Sequence, residues 1–82
     1  MEYRIGQVVR SIAGRDAQND FMVVRVEDKF VYIADGDTRR LESPKRKKIK
    51  HIQGSYNISE EIAEHIRNGT AENYMIRQFL RS

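Results

Sequence analysis

Apolar and polar residues alternate through the first half of the chain, and apolar residues recur every third or fourth position near its end. Three runs in the first half have the period of two and the β-branched and aromatic content of strands. They are residues 5–12, closed by Ala13-Gly14, residues 21–26 and residues 30–34. Met22, Val24 and Val26 fall on one side of the second run, and Val31 and Ile33 lie opposite Phe30 and Tyr32 in the third. The pattern places Phe21, Phe30 and Tyr32 together, opposite the Met/Val/Ile set. Glu27-Asp28-Lys29 reads as a tight link, and Asp35-Gly36-Asp37 supplies the Asp-Gly pair that hairpins favour. A fourth short strand is expected over 38–41 and a fifth over 48–52, with Ser43-Pro44 breaking any strand between them. Five short strands joined by tight turns predict a small closed or half-closed barrel, because a flat sheet of this size would leave two bare edges.

The period changes after Asn57. Ile58, Ile62 and Ile66 form a helical stripe, with Asn57 or Ser59 able to cap its start and Glu60, Glu61 and Glu64 suited to its positive end. Asn68-Gly69 is a natural stop. Thr70 or Asn73 can cap a second helix carrying Ile76, Phe79 and Leu80. Gly54-Ser55 reads as the hinge. The expected architecture is mainly β: a five-stranded barrel over 1–53, with one or two short helices over 54–82 packed on an open end or side.

Composition narrows the function. Eighty-two residues make one small domain with a modest core. There is no cysteine, which excludes disulfides and thiolate-bound zinc. No apolar run is long enough to span a bilayer, and the N-terminus lacks a signal-peptide stretch, so a cytoplasmic protein is expected. The sequons at Asn57 and Asn68 then read as chance matches.

Charge changes the picture most. Seven of the fifteen Lys and Arg residues lie between Arg39 and His51, with Glu42 the only acid among them, so that segment carries +6 while the chain totals +3. Clustered cations are the footprint of a polyanion partner. A solvated face or an import signal at Pro44-Lys45-Arg46-Lys47-Lys48 would share this composition. Ile49 and Ile52 look like core positions, however, and tie the run into the fold. Pro44 interrupts the helix that a membrane-surface reading needs. Phosphate contacts to nucleic acid are therefore favoured.

Phe21, Phe30 and Tyr32 could stack unpaired bases. Packing against the C-terminal helices is the expected alternative, because those helices need a surface to cover. Gly14-Arg15-Asp16 could bring backbone close to a ligand, or Arg15 and Asp16 could pair with each other. Catalysis, metal, cofactor and small-molecule substrate are not expected. His51 and His65 sit in unrelated settings, and no glycine-rich phosphate loop is present.

The stretch from Ile5 to Asp16, followed by Phe21-Met22-Val23-Val24, resembles a KOW motif. With Val31 to Gly36, Arg39-Arg40 and Pro44 to Lys47, residues 4–52 are similar to small bacterial KOW-domain RNA-binding proteins and, beyond them, to KOW proteins of the large ribosomal subunit. The resemblance implies an SH3-like barrel that binds RNA, ribosomal RNA first, with ribosomal proteins as further partners. Gly14 matches the motif glycine, and Arg15 and Asp16 its loop. Ala17-Gln18-Asn19-Asp20 stands where many such motifs carry a second glycine. The expected RNA-binding residues are Gly14, Arg15, Asp16, Arg39, Arg40, Lys45, Arg46, Lys47, Lys48, Lys50 and His51, with Lys45 to Lys48 aimed outward. The competing reading is a protein-interaction module using the basic run or the last helix.

Overall fold

The computed structural model describes residues 2–82. Five strands, β1 (Gln7–Ser11), β2 (Asp20–Val26), β3 (Phe30–Ala34), β4 (Lys45–Lys48) and β5 (Ile52–Ile58), form one antiparallel sheet in the order β4-β3-β2-β1-β5. Strand pairing does not close this sheet, and β4 and β5 are its edges. A single 3-10 turn, Ile49–His51, carries the chain from one edge to the other. Its Ile49 N–H donates to Lys29 O at 3.0 Å, and its His51 O accepts from Ile12 N–H at 3.0 Å. The turn therefore ties the β2–β3 link to the end of β1.

Both faces of the sheet are covered. Val9, Phe21, Val23, Val31, Ile33 and Ile52 are buried together on one face, with Tyr3 and Ile49 packed against them. Met22 and Ala34 pack on the other face with Ile62 and Ile76 from two helices, α1 (Glu60–Asn68) and α2 (Asn73–Arg81). Phe21 thus belongs with Val31 and Ile33, while Met22 sits opposite Ala34. The expected grouping of Phe21 with Phe30 and Tyr32 does not hold. An irregularity between Val23 and Arg25 then shifts the register, leaving Arg25 opposite Tyr32.

Three expected elements are replaced. Residues 48–52, expected as the fifth strand, hold the last residue of β4, the 3-10 turn and the first residue of β5 instead. Residues 38–41 are turn rather than strand. Asp35 captures that segment: its carboxylate accepts from the N–H groups of Asp37 and Arg39 and from the Thr38 hydroxyl, at 2.7–2.9 Å. Such an Asx-type arrangement competes with a ladder. These bonds outweigh the opposing effect of burial and hold the Asp35 carboxyl below its ordinary pKa. Gly54 and Ser55 are no hinge but lie within β5, where Gly54 pairs with Val9 and the Ser55 hydroxyl donates to Val8 O at 2.7 Å. The β part therefore extends past residue 53, and the helices begin at Glu60.

The helices start and stop for the expected reasons at one end of the pair. Ser59 caps α1 by accepting from Ile62 N–H at 3.1 Å, Glu60 and Glu61 fill its first turn, and Gly69 ends it at φ 73°. Helix α2 begins after Glu72 without a side-chain cap. Asn73 serves a different contact: its Oδ1 accepts from Leu41 N–H at 2.8 Å and its Nδ2 donates to Glu42 at 2.7 Å. Arg77 Nη1 donates to Gly36 O at 2.7 Å. Gly36 adopts φ 78°, and a β-carbon there would collide with the carbonyl oxygen of Asn73. The loop after β3 and the first turn of α2 are thus packed backbone to backbone.

This contact separates two glycines that share a left-handed conformation. A β-carbon at Gly69 would meet nothing within 4 Å. Gly69→Ala should cost about 1 kcal/mol, the penalty of the left-handed backbone alone. Gly36→Ala should cost clearly more, because α2 must also move. Urea unfolding of both variants checks the order.

Candidate nucleic-acid interface

Strand β4 is entirely Lys and Arg, so its alternation sorts four cations by direction rather than by hydrophobicity. Lys45 stands opposite Ile33 and Lys47 opposite Val31, both core residues, while Arg46 and Lys48 stand opposite Tyr32 and Phe30. Arg46 and Lys48 are exposed and Lys45 is half-buried. The Lys47 side chain is only 9% exposed. The expected outward aim of all four therefore fails for Lys47, which the pleat turns inward.

Lys47 reaches the loop after β1. Its ammonium donates to Ala13 O at 2.7 Å and to Asp16 Oδ1 at 2.9 Å. The Ser11 hydroxyl, fully buried, donates to the same carboxylate oxygen at 2.9 Å. Asp16 thus turns to Lys47 and Ser11 rather than to Arg15. Burial pushes the Asp16 carboxyl up, but the hydrogen bonds from Lys47 and Ser11 and the Lys47 charge outweigh it, and its pKa lies below the ordinary value. Gly14, at φ 85°, lies beside this pair; a β-carbon there would stand 3.3 Å from the Lys47 ammonium.

The loop is also tied by its own backbone. Ala17, Gln18 and Asn19 donate their N–H groups to Gly14 O, Ser11 O and Asp16 O. Three successive amides are thereby turned to internal partners instead of an incoming phosphate. Arg15 is exposed at the tip.

The remaining expected residues scatter over turns. Arg39 is half-buried and its carbonyl accepts from Asp35 and Gly36 N–H. Arg40 is exposed, 3.5 Å from Glu42. Lys50 is exposed and His51 half-buried on the 3-10 turn. Arg39 and Arg40 therefore do not extend a strand, and Lys47 and Asp16 face each other rather than solvent.

The aromatic residues beside β4 acquire cationic neighbours that their spacing in the sequence does not reveal. The Arg46 guanidinium lies 3.7 Å from the centre of the Phe30 ring, and that of Arg25 lies 5.4 Å from the Tyr32 ring. Phe30 and Tyr32 share a face of β3, yet neither belongs to the cluster under the helices. Next to Phe30, a cavity of about 480 Å³ is walled by Asp28, Lys29, Phe30, Lys48, Ile49 and Lys50. The signal was present as aromatic alternation on β3 and basic alternation on β4. Their juxtaposition needed the cross-strand register.

No known family's model matches the chain, and no curated protein sequence matches it. Among the described residues, no helix is long and apolar enough to cross a membrane, and no group of three or more acidic or histidine side chains is placed to hold a metal ion.

The Lys47–Asp16 pair has two measurable consequences. Lys47→Met leaves a mostly buried carboxylate without its partner and should destabilise the fold by about 3 kcal/mol, with part recovered by adding Asp16→Asn. Because the native Asp16 pKa is depressed, its contribution is present above the unfolded value, about 3.9, and is lost as pH falls through the lower native value. Denaturation curves of the wild type and Asp16→Asn across acidic pH should therefore converge as pH falls.

Proposed function

We propose that the chain is a non-catalytic RNA-binding module of the SH3-like, KOW type, with structured ribosomal RNA as the first candidate partner. The observation that carries this reading is the run of exposed cations on one margin of the sheet. Arg46 and Lys48 on β4, Lys50 on the 3-10 turn and Lys29 on the β2–β3 link are all exposed there. Strand order supports the fold half of the reading. An antiparallel sheet whose edge strands are joined by one 3-10 turn, with β1 paired to β5, has the connectivity an SH3-like barrel requires. The likeness of residues 4–52 to KOW proteins, with Gly14 as the motif glycine, points to the same class.

In this reading phosphates meet Arg46, Lys48, Lys50 and Lys29, with Lys45, Arg40, Arg15, Arg39 and His51 at the margins. Lys47 and Asp16 hold the loop and β4 in place instead of contacting RNA. Binding by phosphate neutralisation depends on counterion release. A protein-interaction reading has one observation in its favour, the groove between α1 and α2 bordered by Ile62, His65, Met75 and Phe79, with Tyr74 44% exposed.

With about four phosphates engaged, log affinity for structured RNA should fall with log salt at a slope of roughly −3. Charge reversal at Arg46, Lys48 and Lys50 should abolish binding while leaving the far-UV CD spectrum unchanged. A slope near zero, or unchanged binding by that variant, sinks the phosphate reading. Partners that survive ribonuclease treatment of a pull-down would favour the protein-interaction reading.

A further inference from the structure

The cavity beside Phe30 has features that phosphate contact alone does not use. We infer that it receives one unpaired nucleotide of the RNA, its base laid against the Phe30 ring and its phosphates held by the surrounding lysines. The inference rests on the RNA-binding reading and names the part of the RNA that this site takes.

Three observations converge. The first is chemistry: Phe30 and the aliphatic Ile49 line the cavity together with three lysines, Lys29, Lys48 and Lys50, and one acid, Asp28. An apolar flat surface inside a cationic rim matches a nucleotide, which is a flat base joined to an anion. It does not match a purely aliphatic ligand or an acidic one lacking a flat face. The second is size. About 480 Å³ falls within the roughly 300–1,000 Å³ of small-molecule pockets, so it is ample for one base and its sugar.

The third is preorganisation. Phe30 is the first residue of β3, and its backbone O accepts from Glu27 N–H at 2.9 Å across the turn. Lys29 O and Ile49 N–H join the two loops that wall the cavity, at 3.0 Å. Arg46, which is not among the walls, sits over the ring at 3.7 Å and fixes it through a cation–π contact. The ring is thus held by a charge outside the cavity while another part of it lines the cavity. Base–aromatic stacking tolerates any base, so the site selects unpaired over paired nucleotides rather than one sequence over another.

Fluorescence anisotropy with three labelled probes tests this: a single-stranded RNA, the same strand annealed to its complement, and a strand of equal length made of abasic ribose phosphates. Phe30→Leu should weaken the single strand about tenfold, within the range of one lost stacking contact, and leave the duplex and abasic strand unchanged. Phe30→Tyr, which keeps the ring, should bind like the wild type. With the wild-type protein, a fluorescent purine analogue in the single strand should change its emission on binding. Equal loss on all three probes, no loss on the single strand, or unchanged analogue emission each overturn the base site, even where the wild type still binds duplex by its cations. Failure of the wild type to bind any probe overturns the RNA reading and this inference together.

Discussion

The Lys47 ammonium is the group around which the β part is arranged. An ammonium taken out of water costs several kcal/mol unless its protons are matched. Here two are matched, by the Ala13 carbonyl and the Asp16 carboxylate, and the buried Ser11 hydroxyl donates to the same carboxylate oxygen. The bonds join β4, the last strand on one edge, to the loop leaving β1 near the other. They also fix a register that hydrophobicity cannot fix. Lys45-Arg46-Lys47-Lys48 offers no apolar residue to mark an inner side, and polar strands are prone to slip. A one-residue slip would turn Arg46 and Lys48 toward the core with no acid to meet them. Seating Lys47 on Asp16 is therefore what leaves Arg46 over Phe30 and Lys48 at the cavity.

The helices serve the sheet in a complementary way. They cover Met22 and Ala34, and their attachment is polar as well as apolar. Asn73 holds the backbone of Leu41 and Arg77 holds that of Gly36, so the long link between β3 and β4 is fastened by side chains of α2. The coverage ends before Phe30. A small domain buries only part of its surface, and here the part left uncovered is where the aromatic and cationic residues of β3 and β4 meet.

Much of this was legible where local pattern and local structure agree. The runs at 21–26 and 30–34 became β2 and β3, and Ser59 and Gly69 bound α1 as their chemistry suggests. What escaped was decided by partners distant in sequence. Residues 38–41 have strand-like spacing, but the Asp35 carboxylate and the Asn73 amide take their N–H groups. Gly54-Ser55 looks like a hinge until Val8 and Val9 pair with it. Lys47 is indistinguishable from its neighbours by type, and only the pleat and a carboxylate thirty-one residues away set it apart. The aromatics were misgrouped because the register shift between Val23 and Arg25 is invisible to a count of two.

The position of β4 gives its charge a second meaning. An edge strand offers unpaired backbone groups to any other edge it meets, which is the start of sheet-to-sheet aggregation. β4 is such an edge, with both exposed side chains cationic. Two copies approaching by this edge bring like charges together and are driven apart. The cations proposed to meet RNA also keep the protein from meeting itself, and a polyanion that neutralises them removes that protection while shielding the strand with its own bulk.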